Sequence, residues 1–166
     1  MRVYLKVPTI DDFGYYQALI ADPETMSYNR GYGHEGSGCY FLTEADAEQW
    51  FQRVCQTGCY LAYILRSDDH HPIGYININH EKEIGMHTLN IVIEAASRGR
   101  AYAAEALKLG AEVAFEQMNL NQIGNTLSPA DNRPAAERAF ERAGFVRVNQ
   151  GLIVLTREAF EKGGPA

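Results

Sequence analysis

The sequence predicts a single α/β (α+β) domain over residues 1–166, a mixed, mostly antiparallel sheet of about seven strands with helices on both faces. Three observations predict it. Short alternating stretches follow one another between Tyr60 and Glu94, as in an antiparallel meander. A helical stripe from about Arg100 to Met118 then separates the last of them from a further strand, Gln122–Leu127, which makes a βαβ unit. A length of 166 residues suits one core rather than two.

Residues 2–7 alternate well enough for a first strand. Thr9-Ile10-Asp11-Asp12 sets a capping hydroxyl three positions before a carboxylate, so a helix is expected from there to about Ile20. Asp22-Pro23-Glu24-Thr25-Met26 restarts the chain, and Ser27 to Gly38, with four glycines, reads as a long exposed loop. Thr43-Glu44-Ala45-Asp46 repeats the capping logic for a helix whose Ala47, Trp50, Phe51 and Val54 share a face and which ends at Gly58. The strands Tyr60–Arg66, Ile73–His80 and Met86–Glu94 follow. In the last, Leu89, Ile91 and Ile93 share one face, and Asn90, Val92 and Glu94 the other. Asp131 or Asn132 can cap a later helix that carries Pro134 in its first turn and stops at Gly144. Phe145–Asn149 and Leu152–Thr156 close the chain as a hairpin across Gln150-Gly151.

A hydrophobic share of 46% with 22% charged residues is globular. No apolar run approaches the roughly 18 residues of a membrane span, so no membrane partner is expected. Charges interleave with apolar residues from Met1 to Lys6, so no secretory signal is expected and a cytoplasmic location is the default. Cys39, Cys55 and Cys59 are odd in number, with the last two one helical turn apart, and read as reduced thiols. His70-His71 beside Asp68-Asp69 reads as a polar turn, and no metal is expected. A formal net charge of −6 argues against a nucleic-acid partner and weakly favours a basic acceptor.

The stretch from Ile91 to Leu107 carries the chemistry. A strand that passes through small residues into a helix exposes several N–H groups at the positive helix end, where a diphosphate fits and large side chains would block it. Arg98 and Arg100 add counter-charge. On these grounds alone the segment binds a phosphate or carboxylate, or is a plain tight turn.

Arg98-Gly99-Arg100-Ala101-Tyr102-Ala103 resembles the acyl-CoA-binding motif of the GNAT superfamily of N-acetyltransferases, (Gln/Arg)-x-x-Gly-x-(Gly/Ala). Asn132, the helix 134–143 and Gly144-Phe145 resemble that family's downstream block, an asparagine opening a helix that ends in Gly-Phe. The order of strands and helices matches over essentially the whole chain. Asp22-Pro23-Glu24 and the helix with Trp50-Phe51 look most like the branch that includes the Rim-type acetyltransferases of ribosomal-protein amino termini. The resemblance implies a GNAT-like fold, acetyl-CoA as cosubstrate without a metal, and direct transfer of the acetyl group to a primary amine. That amine is a small molecule or a peptide or protein amino terminus. A homodimer is compatible with it. The alternative is a non-catalytic acyl-CoA-binding module of the same fold, and a phosphate-binding domain unrelated to CoA would require the downstream block to be coincidence.

Carried over residue by residue, the resemblance assigns main-chain groups near Ile91, Val92 and Ile93 to the pantetheine arm. It assigns Arg98, Gly99, Arg100, Ala101, Tyr102, Ala103, Ala104 and Asn132 to the rest of the cofactor. Ala101 stands where the motif has its central glycine, at a cost of about 1 kcal/mol or more if its φ is positive and little if negative. Phe140 stands where many relatives place a tyrosine, the presumed acid for the CoA thiolate, so no proton comes from there. For the base there are two candidates. His87 occupies the strand start where several relatives carry a glutamate, and an ordinary pKa near 6.5 suits proton removal, although a histidine in a sheet is as often a packing residue. Glu94, at the other end of the strand, is either a base or an orienting group for backbone and arginines. Tyr28, Asn29, Tyr32 and His34 are expected to form part of the acceptor wall, unless their segment is simply a surface loop. No cysteine is assigned as a nucleophile.

Overall fold

Thr9 and Thr43 each open a short 3₁₀ turn, and in both the main-chain N–H is accepted by a carboxylate three residues on, Asp12 at 2.8 Å and Asp46 at 2.7 Å. These turns launch α1 (Phe13–Ala21) and α2 (Ala47–Val54), the latter stopping before the expected Gly58. The computed structural model describes residues 1–127 and 133–163, so the expected cap residues Asp131 and Asn132 lie outside the described residues. Its remaining elements are β1 (Val3–Lys6), β2 (Tyr60–Arg66), β3 (Pro72–Glu81), β4 (Met86–Ile93), α3 (Tyr102–Glu112), β5 (Gln122–Thr126), α4 (Arg133–Arg142), β6 (Val146–Asn149), β7 (Leu152–Thr156) and α5 (Arg157–Lys162). Beyond the expected closing hairpin lies a further helix, α5, capped by Thr156, whose hydroxyl accepts the Ala159 N–H at 3.1 Å.

The seven strands form one sheet in the order β1-β2-β3-β4-β5-β7-β6. Every pairing is antiparallel except β4 with β5, the crossover that α3 makes. This is the expected mixed, mostly antiparallel sheet. Strand alternation sends Ile64, Ile76, Ile78, Leu89 and Ile123 to one face, where they pack with Leu107, Ala111 and Phe115. Each of the large aliphatic side chains contributes about 1.5–3 kcal/mol on full burial. Gly110 lets α3 lie close on that face, because a Cβ there would come within 2.8 Å of a Leu89 methyl. Tyr63 and Leu65 point to the other face and are covered by Phe13, Trp50 and Val54. A third apolar cluster, Ile20, Met26 and Cys39 with Tyr16, Tyr28 and Tyr75, continues that layer.

Two local features shape the middle of the sheet. The β2–β3 register passes from Ile64 opposite Gly74 to Leu65 opposite Pro72, so Ile73 is an extra residue that bends β3. The Ser27–Gly38 segment is also more ordered than a glycine count implies. It begins in a 3₁₀ turn, Thr25–Asn29, with Thr25 and Met26 buried. It then folds on itself through Gly31 N–H to Gly36 O at 3.0 Å, His34 N–H to Cys39 O at 2.8 Å and Gly38 N–H to Tyr32 O at 2.8 Å. Among the described residues, no helix is long and apolar enough to cross a membrane, and the three cysteines are unpaired.

Candidate active site

Glu94 N–H donates to Ile73 O at 2.9 Å, which sets the alternation of the β3–β4 ladder. Val92, opposite Tyr75, therefore turns its main-chain groups toward β3, while Ile91 and Ile93 turn theirs toward β5. Yet β4 and β5 register only at Thr88 and Gly124. Past that point the strands part, and the Asn125 side chain fills the gap, donating to Leu89 O at 2.9 Å and Asn90 Oδ1 at 3.2 Å. Ile91 thus presents main-chain groups that face an opening. Of the three residues expected to serve the pantetheine arm through their backbone, the ladder leaves Ile91 and Ile93 turned into the opening and commits Val92 to β3.

The opening is part of a cleft of about 730 Å³. One wall is the strand-to-helix segment from Ser97 to Ala104; facing it are Ala135, Ala136, Arg138, Ala139, Phe140 and Arg142 of α4. Tyr28, Tyr75, Asn90, Asn125 and Thr126 line the rest. Alanines on both walls leave room for a narrow ligand. The N-cap of α3 is Ala101, whose side chain has no oxygen with which to cap, so the first-turn N–H groups are left for a ligand or water. Arg100, Arg138 and Arg142 stand by the cleft with no carboxylate partner among the described residues, a local cationic field in an acidic chain.

Ala101 has φ 61° and ψ 18°, the left-handed region, so the costly case for this alanine is the one realised. Gly99 is also left-handed, at φ 75°. Ala101→Gly is expected to stabilise the protein by about 0.5–1 kcal/mol, the relief of strain exceeding the added unfolded-state entropy. A rise in melting temperature of about 2–3 °C would show it, and a fall would contradict the strain.

Arg98 lines the cleft, but its guanidinium is spent elsewhere. Nε donates to Ile93 O at 3.1 Å, and the two terminal nitrogens donate to Glu24 O at 3.4 Å and Thr25 O at 2.6 Å. Instead of supplying free counter-charge, it ties the end of β4 to the Thr25 turn. That turn is held from its other side as well: Thr25 Oγ1 accepts the Ala95 N–H at 3.0 Å. Asp22 accepts the Thr25 N–H at 2.8 Å, and bonds from Thr25 hold its carboxyl below the usual range with help from Arg98.

The two base candidates both lie outside the lining of the cleft. His87 is the second residue of β4, six residues before Ile93, or about 20 Å along an extended strand. It pairs across strands with His80, ring centroids 5.1 Å apart, and burial followed by the His80 charge lowers its pKa. Glu94 accepts a hydrogen bond from the Ser97 hydroxyl at 2.6 Å and has His71 Nε2 at 3.8 Å. Burial and then the Glu94 charge push the neighbouring Tyr15 phenol up. The Ser97 hydroxyl, in the lining, is therefore what links Glu94 to the cleft.

Of the expected acceptor wall, Tyr28 lines the cleft, and burial pushes its phenol up to about 12. The Asn29 amide donates to Gly38 O at 3.0 Å within its own segment, His34 packs edge-on against Phe41, and Tyr32 is 70% exposed. Those three are not brought to the lining. Tyr75, Asn90, Asn125, Arg138 and Arg142 were not anticipated. A signal existed for the arginines, since 135, 138, 139 and 142 share one helical face with two alanines. Among the described residues that line the cleft there is no carboxylate and no imidazole, and among all the described residues no three metal-binding side chains gather.

A helix end thus stands at the mouth of a gap between two parallel strands of a seven-stranded sheet. The profile of the acetyltransferase (GNAT) domain matches residues 2–146, and the chain belongs to that family. No curated protein matches it. Among solved structures it resembles an acetyltransferase (GNAT family) from Bacillus anthracis, at 18% identity and TM-score 0.72, covering 95% of this chain and 96% of that one. An aminoglycoside acetyltransferase in complex with coenzyme A is 21% identical with TM-score 0.74, covering 96% and 98%. Spermidine N-acetyltransferase from Vibrio cholerae, in complex with CoA and spermine, is 14% identical with TM-score 0.74, covering 96% and 98%. At such identities the likeness is one of fold.

Proposed function

We propose that the protein transfers the acetyl group of acetyl-CoA directly to a primary amine. One observation carries this reading: the gap past Thr88 and Gly124 joins the uncapped N-terminus of α3 on one side to a tyrosine and asparagine surface on the other. The main chain from Gly99 to Ala104 would hold the diphosphate, with Arg100, Arg138 and Arg142 adding charge. Ile91 and the Ile93 N–H would bind the pantetheine arm, the Ile93 carbonyl being taken by Arg98, and the Ile91 N–H would polarise the thioester carbonyl. Tyr28, Tyr75, Asn90 and Asn125 would meet the acceptor, a small amine or a peptide amino terminus as in the Rim-type branch. The free thiols suit a reducing, cytoplasmic setting.

The amine lone pair attacks the thioester carbonyl carbon, a C–N bond forms, the C–S bond breaks, and CoA leaves as thiolate. The amine proton leaves to solvent, and the thiolate takes one back. Positioning supplies much of the rate, since no covalent intermediate is needed. With Tyr28 protonated up to about 12 and no carboxylate or imidazole in the described lining, the group that titrates is the acceptor itself. Only its neutral form attacks, so kcat/KM should fall about tenfold for each pH unit below the acceptor's own pKa. Acceptors of different basicity should shift the profile accordingly. An inflection near 6.5 common to all acceptors would instead indicate an enzyme histidine.

Phe140 and the same lining favour a second reading, a module that binds acyl-CoA without turnover. Calorimetry with acetyl-CoA followed by thiol release over a panel of amines and amino-terminal peptides separates the two. Binding with release supports transfer; binding without release by any acceptor supports the module; no binding removes both.

A further inference from the structure

We infer that Arg2, immediately before β1 and beside α3, is a positioning residue for the diphosphate-binding turn, an inference that rests on the acetyl-CoA reading above. Its guanidinium reaches three of the residues that open α3. Nη1 donates to Arg100 O at 2.8 Å, Nε donates to Glu105 Oε1 at 2.7 Å, and Cζ lies 5.0 Å from the Tyr102 ring centroid. The Arg2 main-chain N–H donates to the other Glu105 oxygen at 2.9 Å.

Two consequences follow from geometry and charge. No peptide bond here is cis, and in a trans peptide C=O and N–H point in opposite directions. Holding Arg100 O on the Arg2 side therefore turns the Ala101 N–H away from Arg2, and Ala101 itself lines the cleft. That peptide leads into a left-handed alanine, a conformation it would leave if released. Glu105 is also an acid in the first turn of the helix that must receive a diphosphate. Partial burial acts to raise its carboxyl, but bonds from Arg2 outweigh burial and hold it below the usual range. Arg2 thus fixes one donor of the anion site and offsets the charge that would oppose an anion.

The test compares acetyl-CoA with S-acetylpantetheine, which has the thioester but no diphosphate. Arg2→Ala should raise the KM or Kd for acetyl-CoA about tenfold, by loss of charged hydrogen bonds, and leave that for S-acetylpantetheine unchanged. Arg2→Lys, which keeps the charge without the fork, should fall between wild type and Arg2→Ala and carries the comparison if the alanine variant does not fold. Equal affinity of variant and wild type for acetyl-CoA, or equal weakening of both ligands, overturns the role of Arg2. Failure of the wild-type protein to bind acetyl-CoA overturns the acetyl-CoA reading itself.

Discussion

Ala136→Trp is expected to weaken acetyl-CoA binding at least roughly a hundredfold, ~2.7 kcal/mol, while the protein still folds. Ala136 is on the α4 wall of the cleft, half-buried, opposite the alanines that follow Gly99. An indole there would occupy the space between the two walls, and neither wall can retreat without moving the core that α3 shares with the sheet. Because Ala136 faces the cleft rather than that core, the cost falls on the ligand. Calorimetry with acetyl-CoA, alongside a circular dichroism melt, separates blockage from unfolding. Unchanged affinity in a folded variant would move the cofactor out of this cleft.

Gly74→Ala should cost about 3 kcal/mol of stability, the upper end for forcing atoms into a packed site. A Cβ at Gly74 would stand 2.0 Å from Val92 O and 3.0 Å from Ile93 Cα. Both contacts are backbone, so no side chain can swing away to relieve them. Gly74 sits at the bend of β3, beside the residues of β4 that line the gap. The variant is therefore also expected to impair transfer more than binding of the diphosphate. Urea unfolding with an unchanged m-value would measure the first effect, and a loss under about 1 kcal/mol would show that β4 can yield.

Much of this fold was legible because the signals are local. The Thr9–Asp12 and Thr43–Asp46 capping boxes, the α3 stripe and the small residues from Gly99 to Ala104 each depend on neighbours within a turn or two. The Ser27–Gly38 segment was legible only in part. Its glycines read as a loop, whereas the bonds that order its start come from Ala95 and Arg98, some seventy residues away.

By itself the sequence determined the order of elements from the first strand to the closing hairpin, the small-residue turn into α3 and the family resemblance, since periodicity and motif spacing are properties of adjacent residues. Only the tertiary structure decided where β4 leaves β5, and that His87 falls at the far end of its strand. It also decided that Arg98 serves carbonyls while Arg138 and Arg142 face the cleft. Those outcomes depend on which strands pair and in what register, and a register is chosen by the packing of the whole sheet.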